Sequence, residues 1–338
     1  MESTGEGFGR RPLQTISPLI GVVLFAAALW ILHGELHAYH LNDILGYLHA
    51  VPRLSIASAA LLTVLSYLTM TFYDFLALKY IERPLHPLRT AFASFIGYAF
   101  SNSVGFSMLA GASVRFRLYS SWGLSGLEIS KIIAFCTVSI WLGFLTLGGI
   151  IFILEPLSIP AALHLPFTTA HPIGFLLLIP VLAYLLLSMR RKEPVTIRGL
   201  ILSLPRPKLF FAQTAIAMID WVLAGAVLYM LMPEGLALSL PVFLGIFLFA
   251  QLAGLISQIP GGLGVFETVI VVFLSQSAPG AALVGSLIIY RIIYYLLPLL
   301  VAAMLLGIQE ILERRRLLTR GVVILSQLLQ PLVPPVLA

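Results

Sequence analysis

Four ionisable residues lie within long apolar runs of this chain. They are Asp74 in TFYDFLALKY, Asp220 in MIDWVL, Glu267 in GVFETVI and Arg291 in IIYRIIYYLLPLL. A charge at the middle of a membrane helix costs at least about 2.5–3.5 kcal/mol on insertion scales, so each needs a partner or a task. Arg291 is expected to pair with Asp220 or Glu267, as a structural ion pair or as part of a polar cavity. In a cavity the planar fork of an arginine matches a phosphodiester and a carboxylate matches an ammonium, which is the chemistry of headgroup recognition. Glu267 follows SQIPGGLG, residues 257–264, where three glycines and a proline break any helix. As the opening residue of a new helix its carboxylate gains about 0.3–1 kcal/mol from the N-terminal dipole. The bare amides around Gly261 and Gly262 can donate to phosphate oxygens. A second interrupted stretch carries Asn102, in SNSVGF, and is closed by Arg115 and Arg117.

Other constellations carry less. His33, Glu35, His37 and His40 cluster near the first apolar run, with two histidines at i, i+4. Histidines at a membrane interface are ordinarily hydrated, and no metal is expected there. A GxxxxGK[ST] loop and a nucleophile–base set are both missing from the sequence, so neither an ATP motor nor a cofactor is expected.

The elements that hold these residues follow from composition. Of 338 residues 59% are hydrophobic and only 10% charged, with a mean hydropathy of +1.02, far from the usual soluble mix. Runs near the roughly 20 residues that cross a hydrocarbon core recur at 13–33, 54–78, 129–154, 172–189, 209–232, 240–257 and 281–309. Backbone groups in lipid must be satisfied within the segment, so the expected fold is all-α, a polytopic membrane helix bundle of about eight spans with re-entrant or broken helices. Residues 1–320 form the membrane domain. The proline-cut apolar tail, 321–338, is expected to lie at an interface or to begin a further element, and 42–51 to lie along the outer interface.

The net charge of +6 is spread over short loops and suits membrane orientation, not nucleic acid. Lys and Arg concentrate at 190–208 and 310–320 and are absent from 155–171 and 233–239, which places the first pair in the cytoplasm and the second outside. The N-terminus and loop 79–90 are then cytoplasmic. Parity forces 91–128 to cross an even number of times, which a re-entrant hairpin broken near SNSVGF achieves. The same parity sends 258–280 across once, although its helical part, about 265–277, reaches only roughly 20 Å. Paired interruptions of this kind mark the cavity of a transporter. Cys136 is the single cysteine and excludes an intrachain disulfide.

The stretches TFYDFLALKYIERPL (71–85), SFIGYAFSNSVGFSMLAGASVRFRLYSSWGLS (94–125), SQIPGGLGVFE (257–267) and YRIIYYLLPLL (290–300), in this order, resemble the membrane region of the bacterial lysylphosphatidylglycerol synthase/flippase proteins, the MprF family. The resemblance implies a multi-pass protein of the bacterial cytoplasmic (inner) membrane that moves aminoacylated phosphatidylglycerol to the outer leaflet and so confers resistance to cationic antimicrobial peptides. Its implied substrate-binding positions are Asp74, Asn102, Arg115, Glu267 and Arg291. The charge argument adds Asp220, and the turn argument adds Gly261 and Gly262. Complete family members carry a soluble aminoacyl-transferase domain after the membrane region. These residues do not contain one, so this chain by itself is not expected to be an enzyme, and a transferase domain or separate synthase is the implied partner, with a homo-oligomer allowed. Two other functions are open: transport of another anionic lipid or a polyprenyl carrier, and the membrane part of a phosphatidylglycerol lysyltransferase.

Overall fold

The computed structural model describes residues 51–312, apart from 104–106, 156, 160–165, 167, 191–194, 198–199, 203–204, 234, 237 and 258–263. The expected first span, most of the interfacial stretch 42–51, the histidine cluster, Gly261, Gly262 and the tail 321–338 lie outside the described residues.

The described residues form nine helices and one small β-ribbon. Helix α1, Arg53–Tyr80, starts after Pro52 and ends at Ile81; Glu82 then takes a left-handed φ of 59°. Next come α2, Pro87–Ser103, and α3, Ser107–Ser121. Helix α4, Gly126–Leu154, is entered through a capping box in which Ser125 and Glu128 satisfy each other's backbone N–H. Helix α5 is His171–Arg190, and strands β1, Val195–Ile197, and β2, Leu200–Leu202, pair antiparallel with Val195 opposite Leu202. Then follow α6, Pro207–Leu231, α7, Leu240–Ser257, and α8, Val265–Leu274. Helix α9, Gly280–Leu312, is interrupted by a π-helical turn at Arg291–Leu296.

Six helices (α1, α4, α5, α6, α7 and α9) are long and apolar enough to cross a membrane, and they coincide with the last six of the seven runs read from the sequence. The bundle has an apolar core like that of a soluble protein, but its outer face is apolar too. On α1, Leu61, Leu65, Leu68 and Phe72 are exposed at helical spacing, while Ser66, Tyr67, Tyr73 and Asp74 are buried. Lipid tails solvate the apolar face, and polar groups must find one another inside. Helix α1 packs most extensively along α6, and α4 packs on both α5 and α6.

The two misfit stretches are the two short elements. Helices α2 and α3 have 17 and 15 residues, about 25 and 22 Å at 1.5 Å per residue, less than the roughly 30 Å of hydrocarbon. They run antiparallel, since Gly97 faces Arg115 while Gly111 faces Ser101. Helix α8 has only 10 residues and ends at Leu274, three short of the expected 277, in a turn whose Ser277 and Ala278 amides bond the Leu274 carbonyl.

The hairpin depends on a missing side chain. A Cβ at Gly111 would lie 1.9 Å from Ser101 Oγ and 2.6 Å from the Gly97 carbonyl oxygen. Gly111→Ala is therefore expected to force α2 and α3 apart and to cost about 1–3 kcal/mol, the usual range for overpacking. Gly280→Ala meets no atom within 4 Å and serves as the control. Equal thermal unfolding of the two variants in detergent would refute the close approach.

Candidate functional site

Two carboxylates, Asp74 on α1 and Asp220 on α6, are buried, a third, Glu267 on α8, is partly buried, and each is held differently. Asp74, on α1, is fully buried and receives a two-pronged arginine from α3: Arg115 Nε donates to Oδ1 and Nη2 to Oδ2, both at 3.0 Å. Tyr119, one turn further along α3, donates its hydroxyl to Asp74 Oδ1 at 2.7 Å. The guanidinium carbon lies 4.2 Å from the centre of the Tyr98 ring on α2, a cation–π contact that strengthens when water is excluded. Three residues, one each from α1, α2 and α3, thus hold this arginine, directly or through Asp74.

Glu267 is the third residue of α8. Its Oε2 accepts the Gly264 N–H at 2.8 Å, where Gly264 has a φ of +80° that L side chains rarely adopt. Its Oε1 accepts Nε and Nη2 of Arg291 at 2.8 and 2.6 Å. Arg291 begins the π turn of α9, and its guanidinium carbon lies 5.0 Å from the Tyr295 ring centre and 5.8 Å from that of Phe266. A π turn inserts one extra residue into a helix and re-aims the side chains around it, a frequent feature of functional sites. Of the two partners open to Arg291 in the sequence, the structure selects Glu267.

Among the described residues Asp220, on α6, is bonded only by hydroxyls. Ser66 Oγ donates to Oδ1 at 2.7 Å and Tyr73 OH to Oδ2 at 3.0 Å, both from α1. Ser66 also shares a 3.0 Å hydrogen bond with the Tyr294 hydroxyl of the π turn. No described arginine, lysine or histidine lies within ion-pair distance of Asp220. Because Tyr73 precedes Asp74 and Tyr294 shares a turn with Arg291, Asp220 sits between the two ion pairs.

Beside the first pair is a cavity of about 320 Å³. Ser101 and Asn102 of α2 and Arg115 of α3 supply its polar wall with Gln251 of α7; Trp141 of α4 and Trp221 of α6 supply aromatic wall. Asn102 and Arg115 line the cavity, and Asp74 lies behind Arg115. Asp220, Glu267 and Arg291 are not among its lining residues. Trp141, Trp221 and Gln251 were not singled out from the sequence, where an aromatic in an apolar run looks like packing. Arg117 and Glu310 form a further ion pair, docking α3 on the end of α9. At the loop before α2, the hydrogen bond from Arg83 to Glu128, 2.6 Å, raises the Arg83 pKa above the usual guanidinium value. Among the described residues no group of three or more histidine, cysteine or acidic side chains could hold a metal.

Six helices long and apolar enough to cross a membrane among the described residues, two short helical elements and a mostly apolar cavity with a few polar side chains define a multi-pass membrane protein. No family model matches the chain. It is 42% identical over 309 residues to slr0712, an uncharacterised protein of Synechocystis sp., covering 90% of this chain and 95% of that one. It is 34% identical over 252 residues to the inner membrane protein YbhN of Escherichia coli, covering 74% and 78%. It is also 30% identical over 303 residues to the phosphatidylglycerol lysyltransferase of Staphylococcus xylosus, covering 88% of this chain but 34% of that protein. The chain belongs to the family of YbhN and slr0712, which is homologous to the N-terminal membrane region of the phosphatidylglycerol lysyltransferases.

Proposed function

We propose that this protein carries an anionic phospholipid across the bacterial inner membrane, and that its cargo is of the aminoacylated phosphatidylglycerol class, moved from the inner to the outer leaflet. The observation that carries the reading is the cavity beside Arg115. Its volume of about 320 Å³ is at the small end of ligand pockets, which suits a headgroup whose tails remain in lipid. Arg115 spends Nε and Nη2 on Asp74, so the Nη1 edge is outside that fork and can serve a phosphate oxygen. Gln251, Asn102 and Ser101 add neutral polar groups, and Ile133, Ile140 and Leu255 give an apolar wall toward the acyl region.

The homology to lysyltransferase membrane regions supports the choice of lipid, because those proteins are named for a reaction on phosphatidylglycerol. This chain spans about a third of their length, so a synthase on another domain or chain is the proposed partner. The orientation that fits the loop charges has a cytoplasmic N-terminus. Moving a lysylated lipid outward lowers the negative surface charge and weakens the attraction of cationic peptides.

The test uses the aminoacyl amine. With the full chain in vesicles that hold lysyl-phosphatidylglycerol only in the inner leaflet, a membrane-impermeant amine reagent is expected to label it progressively. Empty vesicles give the background, and an Asn102→Leu variant, which fills the polar wall, is expected to slow labelling about tenfold, a loss near 1.4 kcal/mol. Labelling no faster than in empty vesicles would overturn the proposal.

A further inference from the structure

Asp220 differs from Asp74 and Glu267 in the kind of group that holds it. Arginine can only donate hydrogen bonds and keeps its charge, so Asp74 and Glu267 each face a donor, Arg115 or Arg291, that cannot turn to accept. A hydroxyl donates or accepts according to how its proton is turned. Ser66, Tyr73 and Tyr294 can therefore satisfy Asp220 in either protonation state, which no arrangement of arginines could do. The carboxyl is only 6% exposed.

We propose that Asp220 is a proton-binding site, and that its occupancy sets how α1, α6 and the π turn of α9 are joined. With the carboxylate charged, the hydroxyl protons run inward, from Tyr294 to Ser66 to Oδ1 and from Tyr73 to Oδ2. When a proton is taken from water, one carboxyl oxygen becomes a donor. Ser66 or Tyr73 must then turn to accept, and if Ser66 turns it donates to Tyr294. One O–H bond of a hydronium ion breaks as the carboxyl O–H forms, leaving water, and the reverse exchange returns the proton when it is released. The ionisable groups facing Asp220 are Tyr67 and Tyr73 from α1 and Tyr294 from α9, whose carbonyl also accepts the Tyr67 hydroxyl at 3.2 Å. Helices α4, α5 and α7 also pack on α6, and none of their described side chains hydrogen-bonds or ion-pairs with Asp220. Tyr294 lies in the turn that carries Arg291, and Tyr73 adjoins Asp74. A switch at Asp220 thus reaches both ion pairs through one residue on each side.

The first arm of the test is independent of the proposed cargo. Infrared difference spectra of the full chain in lipid nanodiscs, taken between mildly acidic and mildly alkaline buffer, are expected to show a protonated-carboxyl band that appears on acidification and is lost in Asp220→Asn. Tyr73→Phe keeps the carboxyl and removes one partner, and is expected to shift that band in position and in titration midpoint. Should Asp220→Asn fail to accumulate, Tyr73→Phe decides the matter alone. A spectrum unchanged by pH, or a band that both variants leave intact, overturns the proton site.

The second arm rests on the lipid-transport reading. In the amine-labelling vesicles a pH gradient is expected to change the rate at least about threefold for the wild type, and not at all for Asp220→Asn. Transport that ignores the gradient overturns the coupling, whereas no transport under any condition overturns the cargo assignment and leaves the infrared result to judge the proton site.

Discussion

Asp74→Ala is expected to deplete the folded protein. The change leaves the Arg115 guanidinium, only 4% exposed, without its anion, and breaking a buried pair from one side costs about 3–5 kcal/mol. Against a typical stability of about 5–15 kcal/mol, that loss shows as reduced abundance and a lower unfolding temperature. The pair need not be what makes the fold stable, since replacing both charges with apolar groups of similar volume is often neutral. Asp74→Leu combined with Arg115→Met and Tyr119→Phe, the last because the Tyr119 hydroxyl would lose its acceptor, is therefore expected to restore abundance in membranes. It should not restore lipid translocation, because no guanidinium then borders the cavity. Measuring detergent-extracted monodisperse protein and vesicle transport in parallel separates the two roles. Full transport by the triple variant would show that Arg115 serves the fold alone.

How much of this was legible beforehand depends on what fixes each feature. Span positions depend on local hydrophobicity and chain length, and they follow the sequence closely: 54–78 becomes Arg53–Tyr80, and 240–257 becomes Leu240–Ser257. The break between α2 and α3 falls at SNSVGF because a polar stretch containing glycine sits where a helix would have to continue, and α2 ends at Ser103. Pairing is set by helix rotation and by neighbours far along the chain, and it left no local trace. Asp74 and Arg115 are 41 residues apart and Asp220 and Ser66 are 154 apart. Serines and tyrosines in apolar runs looked like filler, and only their convergence on Asp220 gives them meaning. The π turn is equally silent, since RIIYYL carries no breaker. The β-ribbon did have a signal: Val195-Thr-Ile and Leu200-Ile-Leu flank Arg198-Gly199, a two-residue spacing with glycine that favours a hairpin.

Arg291→Lys should separate the two readings of the second ion pair. Arg291 places two nitrogens on a single oxygen of Glu267 and lies over the Tyr295 ring. Lysine keeps the charge and one contact to Oε1, so the partly buried carboxylate keeps a partner and the protein is expected to accumulate normally. What lysine cannot reproduce is the planar fork that places two nitrogens on Glu267 Oε1 while its guanidinium carbon lies over the Tyr295 ring. That fork ties the first turn of α8, entered through Gly264, to the π turn of α9, and so positions these two elements against each other. Loss of this positioning is expected to slow outer-leaflet appearance of lysyl-phosphatidylglycerol by at least about tenfold, near 1.4 kcal/mol, with lipid synthesis by a co-expressed synthase unchanged. The π turn strengthens the expectation, because a helix that needed only a salt bridge at this depth could make one from regular α geometry. Normal surface exposure of the lipid in Arg291→Lys would assign the pair to the fold alone and would leave the Arg115 cavity as the sole phosphate site.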